Sequence, residues 1–152
     1  MALLHLSINA ADPEGISAFL ATILGGEHLP FPPFPGCWIA FAQADDGTAI
    51  EVYPLTHRLV PGPETIECSV GAPDGLPTFA HAAIASPLPR EAIVRLGQER
   101  GWTTQICSRG PFHCIEIWLE NRLLVEVLDP AMLSEYRAGM TAANWKNMFG
   151  IS

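Results

Sequence analysis

Residues 3–9 alternate between apolar and polar. Leu4, Leu6 and Ile8 fall on one face of a predicted strand, and His5, Ser7 and Asn9 on the other. A period of two marks a sheet whose two faces differ chemically. From residue 12 the period changes. Asp12 is placed to cap a helix and Pro13 suits its first turn. Ile16, Phe19, Leu20, Ile23 and Leu24 then follow at i, i+3, i+4, i+7 and i+8, an apolar helical stripe that Gly25-Gly26 ends. The helix is therefore expected to cover the leucine–isoleucine face and leave His5 on the open one.

The same sequence of signals returns 76 residues later. His5 falls on His81, Ile8 on Ile84, Pro13 on Pro89, Leu20 on Leu96 and Gly25 on Gly101. In this second copy His81, Ala83 and Ala85 alternate with Ala82 and Ile84. A helix is expected from about residue 88 to 100, with Pro89 in its first turn, Ile93, Leu96 and Gly97 inward, and Gly101 at its end. A hairpin follows each helix. CWIAFAQA and TAIEVYP flank Asp45-Asp46-Gly47, a strong turn signal; HCIEIWLE and LLVEVLDP flank Asn121-Arg122, a weaker one. With a further strand at 27–31 and at 103–108, each copy reads as β, α and three strands, an α+β pattern. The proline-rich EHLPFPPFPG is expected to form a long loop or lid. The modules span residues 1–53 and 80–130. Residues 54–79 connect them and hold one short strand, ETIECSV. Residues 131–152 form a tail, and the whole is expected to be one compact domain.

The repeat carries chemistry. His5 lies 46 positions before Glu51, and His81 lies 45 before Glu126. Ile50 and Val52 face one way and Glu51 the other; Val125 and Val127 likewise oppose Glu126. If the β-branched faces are core, both carboxylates project to the side where the two histidines project. A lone His or Glu on a strand is ordinarily just a polar residue. Duplication, parity and near-equal spacing together favour His5, Glu51, His81 and Glu126 as ligands of one divalent ion. Two imidazoles and two carboxylates suit Zn²⁺, Ni²⁺, Fe²⁺, Mn²⁺ or Co²⁺.

Parity also suggests pocket residues. If Asn121-Arg122 is a two-residue turn, Ile115 or Ile117 stands opposite Glu126, and His113, with Trp38 as its counterpart in the first copy, projects toward a cavity. A turn longer by one residue reverses both. Trp38 as a packing residue and His113 as a wet edge residue are the competing assignments. His28 and His57 fall in loop-like segments.

Nearly half of the 152 residues are apolar, enough for a sizeable core. A net charge of −8 disfavours nucleic-acid and anionic-membrane partners. No membrane span or signal peptide is expected, so the chain is read as soluble and cytoplasmic. Cys37, Cys68, Cys107 and Cys114 lack paired C-x-x-C spacing and are expected as reduced thiols, although Cys107 and Cys114 face each other across a hairpin.

The two modules and their His/Glu pairs resemble the vicinal oxygen chelate superfamily, which includes glyoxalase I, extradiol dioxygenases, methylmalonyl-CoA epimerase and the fosfomycin and bleomycin resistance proteins. The resemblance covers about residues 3–130. It implies two βαβββ modules forming a cupped mixed sheet, with helices on its outer face and a metal held by His5, Glu51, His81 and Glu126. It further implies a glyoxalase-like lyase, isomerase or epimerase acting on a small oxygenated substrate through a metal-stabilised enediolate or enolate. Glu126 is the first choice of base and Glu51 the second. The alternatives are a binding protein of the bleomycin-resistance type and an Fe(II) dioxygenase. A homodimer is implied as well. The glutathione-binding marks of glyoxalase I are not matched: SAFLAT has only Phe19, Asn9 stands where a first-strand arginine is expected, and ENRL replaces the usual turn before the last strand.

Overall fold

The computed structural model describes residues 4–44, 46–63, 66–77 and 80–151. Leu3, Asp45, Glu64, Thr65 and Phe79, which belong to expected strands or turns, lie outside the described residues. The chain divides into two compact units, Met1–Pro77 and Thr78–Ser152.

The first unit begins with β1 (His5–Ala10), α1 (Pro13–Leu24), β2 (Glu27–Pro30), β3 (Trp38–Phe41) and β4 (Ala49–Pro54). Its sheet runs β1-β4-β3-β2. β1 lies parallel to β4 and the other pairs are antiparallel. The ends of α1 follow from its sequence. Asp12 Oδ1 accepts the Gly15 N–H at 3.0 Å, and Gly25 takes the left-handed conformation at φ 68°. The Gly26 N–H then reaches back to the Ala21 carbonyl at 2.9 Å, closing a Schellman turn. Ile16, Phe19, Leu20 and Ile23 are buried, as are Ala40, Ile50 and Val52 of the sheet. The register Ile8↔Val52 and Ala40↔Ile50 puts these sheet residues on one face.

The second unit repeats the plan with β7 (Ala82–Ala85), α2 (Arg90–Glu99), β8 (Thr104–Ser108), β9 (His113–Leu119) and β10 (Leu123–Leu128). The order β7-β10-β9-β8, with β7 parallel to β10, reproduces the first sheet strand for strand. The expected α+β architecture of two βαβββ modules is what the chain adopts. In α2 Pro89 is the N-cap rather than a first-turn residue, and it supplies no side-chain cap. Gly97 is needed there for close packing, since a Cβ would stand 2.3 Å from Thr104 Oγ1.

Three expectations are corrected. First, residues 54–79 hold a hairpin of two strands, β5 (His57–Pro61) and β6 (Ile66–Val70), rather than one. HRLVP lacks the alternation that would have marked it. His57 thus opens a strand, and His28 lies on β2, not in loops. Second, the tail is two helices, α3 (Pro130–Gly139) and α4 (Ala142–Phe149). Asp129-Pro130 repeats the Asp12-Pro13 start signal, and Asp129 Oδ1 accepts the Met132 N–H at 2.8 Å. Third, the β9–β10 connection contains three residues. Glu120 and Asn121 both adopt positive φ, the Arg122 N–H bonds the Leu119 carbonyl at 3.0 Å, and pairing resumes at Leu119↔Leu123. Asn121 Oδ1 also accepts the Thr103 N–H at 2.7 Å, fastening this turn to the start of β8.

Gly26 is the tightest backbone contact in the first unit: a Cβ there would lie 2.1 Å from the Phe41 carbonyl oxygen. Gly26→Ala should therefore cost about 2 kcal/mol or more, because backbone rather than a side-chain tip must move. Urea denaturation of the purified variant measures this.

Candidate functional site

In the first unit His5 and Glu51 share a face, since His5 pairs with Ala49, two residues before Glu51 on the adjacent strand. Ser7, directly beside Glu51, donates its hydroxyl to Glu51 Oε2 at 2.8 Å. Tyr53 Oη donates to the same oxygen at 2.9 Å. Burial and the bond to Glu51 push the Tyr53 phenol well above its ordinary pKa, so it stays a donor. Phe31 and Phe34, in the turn after β2, bring their rings to 6.1 and 5.7 Å from Tyr53. The FPPFPG segment thus sits beside the Glu51 face. Across β3 the neighbour of Glu51 is Ile39.

The second unit uses the equivalent positions differently. Ala83 takes the place of Ser7 and Leu128 that of Tyr53, so neither hydroxyl is available. Glu116 takes the place of Ile39 and stands directly opposite Glu126. One guanidinium serves both carboxylates. Arg109 Nε donates to Glu126 Oε1 at 2.8 Å, and Arg109 Nη2 makes a short contact with Glu116 Oε1. Gln105 Nε2 donates to Glu116 Oε2 at 2.7 Å. The two carboxylate side chains are only 10% and 9% exposed. Burial opposes the charge on Glu116, but hydrogen bonds from Gln105 and Arg109 and the guanidinium charge outweigh it, so its pKa is lowered. Arg109 is correspondingly held in its charged form. Cys107 and Cys114 are cross-strand neighbours with free thiols, and burial followed by the nearby Glu126 charge pushes Cys114 up to about 12.

His81 and Glu126 line one cavity in this unit, together with Ala83, Arg109, Phe112 and residues of the C-terminal helices. The first module therefore brings its His and Glu to one sheet face, and the second brings them to one cavity. Among the described residues no group of three or more His, Cys, Asp or Glu side chains is gathered closely enough to hold a metal ion. The donor chemistry nonetheless fits one. In each pair the bonds above engage a single carboxylate oxygen, Oε2 of Glu51 and Oε1 of Glu126, and such outer hydrogen bonds are what ligating carboxylates ordinarily carry. Glu116, Glu126 and Arg109 also sum to a residual negative charge in a largely buried place.

The expected pocket residues are not on these faces. Trp38 pairs with Val52, which puts it on the α1 side, where its ring lies 5.5 Å from that of His28. Ile115 and Ile117 are fully buried opposite Val127 and Val125, on the face away from Glu126. His113 shares their parity and is held by Glu135, with Nδ1 and Oε2 at 2.9 Å. For Ile115, Ile117 and His113 the cause is the third residue in the β9–β10 turn, which shifts the ladder by one position; Trp38 was expected only as the counterpart of His113. Arg109, Glu116, Ser7 and Tyr53 were missed. A glutamate inside the otherwise apolar HCIEIWL was the available signal, since a buried carboxylate needs a partner.

No family model and no curated protein matches the sequence. Solved structures do match its fold. A possible glyoxalase from Bacillus cereus aligns over 84% of this chain and 97% of its own, at 15% identity and a TM-score of 0.51. The fosfomycin resistance protein FosX from Listeria monocytogenes aligns over 90% and 97%, at 13% identity and 0.56. Lactoylglutathione lyase from Agrobacterium tumefaciens aligns over 85% and 93%, at 15% and 0.53. The chain has the vicinal oxygen chelate fold. In that fold the last strand of each module lies beside the first, which is where Glu51 and Glu126 stand relative to His5 and His81. At such identities the likeness is one of fold.

Arg109→Met should destabilise the protein by about 2–4 kcal/mol, somewhat below a fully buried pair because Arg109 is one-third exposed. The sign of the pH effect is fixed by the lowered pKa of Glu116. Its contribution is complete above the unfolded carboxylate value of about 4.3 and is lost as pH falls through the folded value. Without Arg109 the two carboxylates repel, and mild acid should relieve them. Urea midpoints at pH 7.5 and 5 should therefore converge between variant and wild type.

Proposed function

We propose that this protein is a metal-dependent vicinal oxygen chelate enzyme, a lyase, isomerase or epimerase that moves a proton next to a substrate oxygen. The observation that carries the proposal is the duplicated pair: His5 and Glu51 share a sheet face in the first module, and His81 and Glu126 line one cavity in the second. His5, Glu51, His81 and Glu126 would hold a divalent ion. The ion would supply Lewis acidity to one or two neighbouring substrate oxygens, raising the acidity of the adjacent C–H.

The surroundings divide the labour between the carboxylates. Glu126 is tied to the Arg109 guanidinium by an ion pair, with charge on both partners, and is suited to staying in place. Glu51 is held only by the neutral hydroxyls of Ser7 and Tyr53, so it can swing at lower cost. Glu51, rather than Glu126 as the sequence alone ranked them, is therefore the preferred base and Glu126 the fixed ligand, and Tyr53 is placed to return a hydrogen bond as Glu51 changes charge.

A non-catalytic binding protein would keep the fold without need of the four donors. Elemental analysis of the purified, metal-loaded protein separates the two. Stoichiometric metal should be found in the wild type and lost in His5→Ala and in Glu126→Ala. Absence of metal under every loading condition would sink the enzyme proposal.

We also propose a homodimer, and one experiment tests its role. His5→Ala and His81→Ala chains, each defective alone, are unfolded together and refolded. If donors from two chains meet, about a quarter of sites regain metal, because half of the dimers are mixed and each holds one intact set. If each chain supplies its own four donors, none is regained.

A further inference from the structure

The cavity beside Glu126 has a volume of about 440 Å³ and two unlike sides. One is polar: His81, Arg109 and Glu126. The other is Met140, Trp145, Met148 and Phe149. Trp145, Met148 and Phe149 recur at i, i+3 and i+4 and so share one face of α4, with the two rings 4.7 Å apart. α4 buries none of its residues, and these three remain 47%, 51% and 56% exposed. A contiguous apolar face of this kind marks a surface that something covers.

The wall is held in position. Thr141 caps α4 through the Asn144 N–H at 3.2 Å, and Asn144 Nδ2 donates to the Ala138 carbonyl at 2.8 Å, locking α4 to α3. α3 in turn is pressed against the Arg109 loop: a Cβ on Gly139 would lie 2.6 Å from the Pro111 carbonyl oxygen. Phe112 of that loop packs edge-on against Tyr136 at 4.7 Å. A space of this size falls within the roughly 300–1,000 Å³ range of pockets for drug-sized ligands, more than a three-carbon oxo compound needs.

We infer that the substrate carries a large apolar body, an aromatic ring or branched hydrocarbon, next to its oxygen atoms, and that α4 is the wall that holds it. The oxygen end rests on the proposed metal function; the apolar end rests on the cavity alone.

Calorimetric titration of metal-free protein with 1-naphthol tests the apolar end. Saturable binding is expected, weakened about tenfold or more in Trp145→Ala/Phe149→Ala and unchanged in Leu59→Ala, which alters an exposed leucine of the first unit. No saturable binding, or equal binding in the double variant, overturns the inference. So does sedimentation showing that the double variant turns a dimer into monomers, because the wall would then be a subunit contact. Benzohydroxamate and acetohydroxamate, titrated into metal-loaded protein, report on the oxygen end. The aryl compound should bind about tenfold more tightly, and the double variant should abolish that preference. If metal strengthens neither hydroxamate, the metal proposal fails while the naphthol result stands.

Discussion

The parallel pairing of the first and last strands governs everything else in each module. A parallel neighbour can be reached only by a crossover, and the crossover helix must cover one face of the sheet. In the first unit α1 buries Ala40, Ile50 and Val52, so whatever alternates with them is left on the other side. His5, Ser7, Glu51 and Tyr53 are those residues. The second module obeys the same geometry, with Val125 and Val127 buried and Glu126 opposite in parity. Fold and candidate chemistry share one cause, namely which half of each alternating strand the helix covers.

That cause explains what could be seen in the sequence. The ends of α1 were legible because Asp12, Pro13 and Gly25 act through their own backbone neighbours. The His/Glu faces were legible because parity along a strand is local. The pocket residues were not. Their placement hung on whether Glu120 joins Asn121 and Arg122 in the turn, and one residue there moves Ile115, Ile117 and His113 to the other face. The strand β5, partner of the expected β6, escaped notice because Leu59 is exposed and HRLVP forms no buried alternating pattern. Arg109 lies 17 residues from Glu126 on an irregular segment between strands, and no periodicity predicts such a contact.

The internal repeat also separates what the fold requires from what it merely tolerates. At the position beside the last-strand glutamate, the first module carries Ile39 and the second Glu116. Both sheets form with identical strand order, so the topology does not ask for a charge there. A buried ionic cluster is a poor route to stability, because desolvation of the ions offsets much of their attraction. Glu116 and Arg109 therefore need another reason. Together they draw Glu126 Oε1 to one side through an ion pair, with its second oxygen outside the bonds of the cluster. Ser7 and Tyr53 do the same for Glu51 with neutral donors. Two modules of one design thus hold their carboxylates by unlike bonds, an ion pair in one and neutral hydroxyls in the other, and in the proposed centre that difference would let one carboxylate stay while the other moves.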